Sequence, residues 1–155
     1  MAFDLRSVEG WYEGLSCTPT ALCAVTGMTP KEIGVVLQAA AKKHGAEVPA
    51  EPQDSYAPIH WHTAMIDLGG SEQINDAPSH IPFRDRETIG QFLKYNMSDR
   101  EILIVCTLED GSDAHVLAAR GKEFVDTFTS GRLVNIDDVG DYFTQFRVKY
   151  VLEIA

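Results

Sequence analysis

Cys17 stands in Ser16-Cys17-Thr18-Pro19-Thr20-Ala21-Leu22, a polar, proline-marked step into an apolar run. Proline is tolerated in the first turn of a helix, and Ser16 or Thr18 is of the type that caps one, so the spacing predicts a buried helix with Cys17 at its N-terminus. There the positive end of the helix dipole lowers a thiol pKa below its usual value of about 8.5. The same unpaired N–H groups offer donors to an oxyanion forming beside the sulfur. His115, which opens a strand candidate after the acidic turn Asp110-Gly111-Ser112-Asp113, is the candidate base. If Gly121-Lys122 makes a two-residue hairpin turn, Arg120 faces Glu123 and Leu117 faces Asp126. That register puts Asp126 diagonally beside His115, within side-chain reach of about 7 Å. Asp126 then orients the imidazole while its other nitrogen approaches Cys17, the geometry of Cys-His-Asp catalysis. A one-residue slip would turn Asp126 to the wrong face. The structural alternatives are an inert buried thiol and a noncatalytic His-Asp pair on the surface.

The elements that must position these groups follow from pattern. Gly27 ends the first helix, and Thr29-Pro30-Lys31-Glu32 supplies a cap, a first-turn proline and a capping box for a second. Its apolar face is Ile33, Val36, Leu37, Ala40 and Ala41, ending at Gly45. Residues 46–82, rich in proline, read as loops around a short element from Trp61 to Leu68. Asp85-Arg86-Glu87-Thr88 starts a third helix that carries Ile89, Phe92, Leu93, Tyr95 and Met97 and ends near Asn96. The period then changes. Strands are predicted over 102–108, 115–119 and 123–128, and Arg147 to Ile154 alternates as a last strand. Between them Asn135 caps a short helix bearing Ile136, Val139, Tyr142, Phe143 and Phe146. Helices first and sheet later imply an α+β fold.

At Ser16 to Leu22 and at Ala114 to Thr127 the chain resembles the papain-like cysteine peptidase superfamily. The likeness is to compact bacterial and phage-encoded domains, such as the bacteriocin-processing and NlpC-type groups. The resemblance implies N-terminal helices packed on a C-terminal antiparallel β-sheet. It implies too that Cys17 attacks a carbonyl, His115 transfers protons and Asp126 orients His115. The expected activity is hydrolysis of a peptide, isopeptide or related amide through an acyl-enzyme. Peptidoglycan amide is the second substrate class, and thioester or deamidation chemistry stays open. Where papain-like enzymes often carry a glutamine several residues before cysteine, Gly10-Trp11-Tyr12-Glu13-Gly14-Leu15-Ser16 has none, which leaves the Cys17 N–H as oxyanion donor. The alternative reading is a catalytically inactive papain-like domain that binds or regulates a protein partner.

Trp11, Tyr12 and Trp61 are candidates to line a substrate groove, with core packing as their common role. His60, His62, Asp67 and His80 have zinc-ligand chemistry but lack H-E-x-x-H spacing, so no metal site is assigned. Cys23 lies about 240° around an ideal helix from Cys17, and Cys106 is inside the strongest strand; both read as buried hydrophobes. No cofactor is required by the proposed chemistry.

Composition bounds the rest. The 155 residues suit a single domain spanning residues 1–155, and a formal charge of −10 opposes attraction to nucleic acid. No apolar run approaches a membrane span, and the N-terminal segment lacks a signal-peptide pattern. Three cysteines are too few for a disulfide scaffold. The expectation is a soluble cytoplasmic protein acting on a peptide or protein.

Overall fold

Two complete capping boxes show how directly the sequence writes its helices. The computed structural model describes residues 3–11, 15–46, 58–70, 72–111, 113–139 and 146–154. Helix α1 spans Cys17–Thr26 and ends at Gly27, whose left-handed φ of 72° lets its N–H close on the Cys23 carbonyl. Helix α2, Pro30–Lys43, starts from Thr29: the Thr29 hydroxyl accepts from the Glu32 N–H, and Glu32 reaches back to the Thr29 N–H. Helix α3 covers Pro58–Asp67, starting before the element expected at Trp61. Helix α4, Ile89–Lys94, has the same box between Thr88 and Gln91.

Six strands form one antiparallel sheet: β1 Glu72–Asn75, β2 Ile102–Thr107, β3 Asp113–Arg120, β4 Glu123–Val125, β5 Leu133–Asn135 and β6 Arg147–Ile154. Their order is β1-β6-β2-β3-β4-β5. The expected α+β class is the one observed. All six residues of β2 are buried, because α1 to α3 cover one face while α4 and Ile136 cover the other. On the first face Leu103, Val105, Val116, Ala118 and Leu152 meet Leu22, Val25, Leu37, Trp61 and Met65. On the second, Ile104, Cys106, Leu117 and Phe124 meet Ile89 and Leu93. A strand buried on both sides has no polar face, hence the unbroken run Ile102 to Cys106.

The structure corrects several boundaries. β4 stops at Val125 instead of running to Phe128, because the Asp126 carbonyl accepts the Thr129 and Gly131 N–H groups and bends the chain into a 3-10 turn. Tyr95 and Met97 are exposed: α4 ends at Lys94, and over six residues only Ile89 and Leu93, one turn apart, dock fully. Asn135 does cap as expected, accepting from the Asp137 N–H, but over a 3-10 turn of Ile136–Asp138; Tyr142 and Phe143 lie outside the described residues. β1 and β5 were not foreseen.

The chain before α1 is fastened at both ends of its path. The Leu5 N–H donates to Glu101 Oε2 at 2.9 Å, and the Val8 N–H donates to the Gly131 carbonyl at 2.8 Å. It therefore runs from the end of β2 that opens at Ile102 to the loop that follows Asp126. No helix among the described residues is long and apolar enough to cross a membrane.

Candidate active site

Three elements bring the predicted triad together. Cys17 is the first residue of α1, His115 lies near the start of β3, and Asp126 directly follows β4. The hairpin register is the one the sequence implies: Arg120 pairs with Glu123, Ala119 with Phe124 and Ala118 with Val125. Gly121 occupies the first position of the turn with φ 58°, a conformation open to glycine. One step beyond the last pair, Asp126 Oδ1 meets His115 Nε2 at 2.5 Å. His115 is 6% exposed and Asp126 1%. With Nε2 engaged by the carboxylate, Nδ1 is the nitrogen left for Cys17.

The thiol and the imidazole perturb each other in the sense an ion pair requires. Burial pushes the Cys17 thiol up, but the hydrogen bond and positive charge of His115 oppose it, helped by the Val116 N–H and the Thr18 hydroxyl, and the net shift is downward. Burial likewise disfavours the His115 cation. The Asp126 hydrogen bond leads the groups that outweigh it, the Cys17 hydrogen bond and both charges adding to it, and His115 rises from 6.5 to about 9. Both shifts run toward a thiolate beside an imidazolium. The phenyl rings of Phe128 and Phe146 lie 4.7 Å and 5.6 Å from the His115 ring, centroid to centroid, and pack an apolar wall on the pair. Low local polarity strengthens the His115–Asp126 bond.

The start of α1 is short of the usual caps. Ser16 is the N-cap, yet its side chain accepts no helix N–H. Pro19, the third helical residue, has no N–H to give, so half of the usual capping arrangement is missing by sequence. The first amides of a helix have no intrahelical acceptor, which leaves those of Cys17 and Thr18, beside the sulfur in sequence, as potential donors for a negative oxygen. β2 bulges on both sides of Cys106, shifting register against β6 before it and against β3 after it. Cys106 sits opposite His115 in the β2–β3 pair. Bulges of this kind re-aim side chains near sites.

Other sequence candidates go elsewhere. Trp61 is 2% exposed and belongs to the core under α1, so it packs and does not line a groove. The backbone of Trp11 is in a 3-10 turn of Glu9–Trp11; its side chain, and all of Tyr12, lie outside the described residues. The histidines do not converge. His60 stacks on His44, His62 Nε2 meets the Tyr150 hydroxyl at 3.3 Å, Asp67 pairs with Lys43 at 2.7 Å and His80 lies 3.6 Å from Asp76. Among the described residues no cluster of three His, Cys, Asp or Glu side chains could hold a metal ion. Cys23 is buried and pushed up to about 12 by burial and then by the Glu32 charge. Sequence reasoning missed the thiolate donors Thr18 and Val116 and the ring wall of Phe128 and Phe146. Phe128, with Thr127 two residues past the hairpin pairs, was the one legible hint: a large apolar residue in a polar turn. No protein-family model, curated protein or solved structure matches the chain.

Proposed function

We propose that the chain is a cysteine-dependent hydrolase of the papain-like kind, cleaving a peptide or isopeptide amide through an acyl-enzyme. The observation that carries this reading is the continuous chain from Cys17 through His115 to Asp126, with the thiol pushed down and the imidazole pushed up. In the first half-reaction the Cys17 thiolate attacks the carbonyl carbon and forms a C–S bond. Negative charge moves to the carbonyl oxygen, where the amides at the start of α1 can receive it. As the C–O double bond re-forms, the C–N bond breaks and the amine takes the His115 Nδ1 proton. In the second half-reaction His115 takes a proton from water, the hydroxide adds to the thioester, and Cys17 leaves as thiolate with release of the acid. Asp126 keeps the ring oriented with Nε2 toward itself throughout. The helices-then-sheet order, with the nucleophile opening a helix and the histidine on a following strand, supports the papain-like assignment. Three free cysteines suit the cytoplasm, where thiols stay reduced.

The test is the rate of Cys17 alkylation by iodoacetamide against pH. The expected result is rapid labelling at neutral pH that falls steeply in His115→Ala. An ordinary high-pKa profile that His115→Ala leaves unchanged would defeat the hydrolase reading and favour an inactive binding domain.

A further inference from the structure

Ser16 is an N-cap residue without a capped partner. In α2 and α4 the chain uses Thr29 and Thr88 with both halves of a capping box satisfied. At α1, where serine is among the best caps, the carbonyl of Ser16 accepts from the Thr20 N–H at 3.2 Å and from the Thr20 hydroxyl at 2.8 Å, while its own hydroxyl does nothing. Ser16 Oγ is buried and has no hydrogen-bond partner among the described residues. A buried hydroxyl left unpaired is unfavourable and asks for an explanation. Thr107 Oγ1 is also unpaired, but Thr107 is 0% exposed and sealed inside β2, whereas Ser16 keeps partial exposure. The glutamine that would donate to the oxyanion in the resembled family has no counterpart in 10–16.

We propose that the Ser16 hydroxyl is the second oxyanion donor, acting with the Cys17 N–H. This inference rests on the reading of Cys17 as the nucleophile. Oγ is carried on one rotatable bond, and a change of rotamer turns it from its idle position toward the carbonyl oxygen of a group attacked by the adjacent sulfur. The O–H then donates to the oxygen as it becomes negative and withdraws no proton from it, so the bond strengthens in the transition state and not before. Kept out of water until then, the donor has no hydration shell to shed.

Two small probes separate this role from a structural one. Alkylation by iodoacetamide displaces iodide from carbon and creates no oxyanion; acylation by p-nitrophenyl acetate does. Both need the Cys17 thiolate, and both are small enough to need no substrate subsite. In Ser16→Ala, iodoacetamide labelling should stay within about twofold of wild type while the p-nitrophenolate burst slows by about 100-fold, and Ser16→Thr, which keeps the hydroxyl, should recover most of it. Cys17→Ala sets the background for each. A parallel fall in both rates in Ser16→Ala would make Ser16 a support of the helix start and overturn the proposal. So would two unchanged rates, or a Ser16→Thr burst as slow as Ser16→Ala. If wild-type Cys17 itself alkylates no faster than a free thiol, the nucleophile reading falls first, and that result is visible before any Ser16 variant is made.

Discussion

Replacing Asp126 by alanine should uncouple the site without touching the sulfur. The Asp126 hydrogen bond is the largest influence raising His115, and it acts on a ring whose side chain is 4% exposed. Without it and the Asp126 charge, burial is opposed by Cys17 alone, and His115 falls well below about 9. The Cys17 thiolate then has less positive charge beside it, and because burial still acts on the sulfur the thiol rises back toward its ordinary range. The thiolate fraction at pH 7 drops about tenfold for each pH unit the thiol rises, so iodoacetamide labelling should slow by about tenfold or more and recover as the pH is raised. Asp126→Asn keeps an acceptor for Nε2 and should fall between wild type and alanine. The stability profile gives a second readout. A histidine raised on folding contributes stability that is complete below 6.5 and lost as pH rises through about 9; the alanine variant should lack that alkaline decline. Labelling of a folded Asp126→Ala within about threefold of wild type at pH 7 would refute the coupling.

The remaining predictions concern the supports of the site. Thr18 is 3% exposed and its hydroxyl donates to the thiolate, so Thr18→Val, nearly isosteric, should move the midpoint of the Cys17 alkylation profile up by about one pH unit; an unmoved midpoint would remove Thr18 from the site. Glu101, 6% exposed, receives the Leu5 N–H and pairs with Arg120 at 3.4 Å. Burial pushes its carboxyl up and Arg120 only partly opposes this, so its charge is tolerated more than favoured at neutral pH. Glu101→Ala, which strands the Leu5 amide, should lower stability in urea by about 1–3 kcal/mol, and Glu101→Gln, which keeps an acceptor, by clearly less; equal losses would contradict the account.

What was legible in the sequence was local. Pro19, Gly27 and Thr29 marked the ends of α1 and the start of α2, because caps and breakers act on their own neighbours. The His115–Asp126 pair was legible for the same reason: Gly121-Lys122 set a short hairpin, and a fixed register converts residue counts into positions in space. β1 was not legible. Glu-Gln-Ile-Asn has no apolar alternation, and these residues are a strand because β6 offers Val151 to Ile154 as partners. β5 has the same origin, pairing with β4 at Val125, Phe124 and Glu123 while its own residues stay half-buried. The Val116 amide could not be found by residue type at all, since every residue but proline carries one. The sequence left Trp61 with two roles because an aromatic ring serves in a groove or a core, and only packing in the cluster of Leu22 and Met65 decides for the core.

The three cysteines show why burial alone does not set the pKa of a thiol. Cys23 and Cys106 are fully buried and Cys17 largely so, and burial pushes each thiol up. The outcome is set by what else surrounds the sulfur. Cys17 gains an imidazole, an amide and a hydroxyl, all donors to a thiolate. Cys106 sits opposite the same His115, yet the charges it feels after burial are those of Asp126 and of Cys17, both negative, and it is held well above the ordinary value. The arrangement that favours an anion at Cys17 therefore disfavours a second at Cys106. Labelling native protein with iodoacetamide at pH 6.5 and mapping the peptides should place the modification on Cys17, with Cys106 and Cys23 labelled only after unfolding. Modification of Cys106 in the folded protein at a comparable rate would mean that the negative charges next to it do not hold its proton, and the electrostatic account of Cys17 would fail with it.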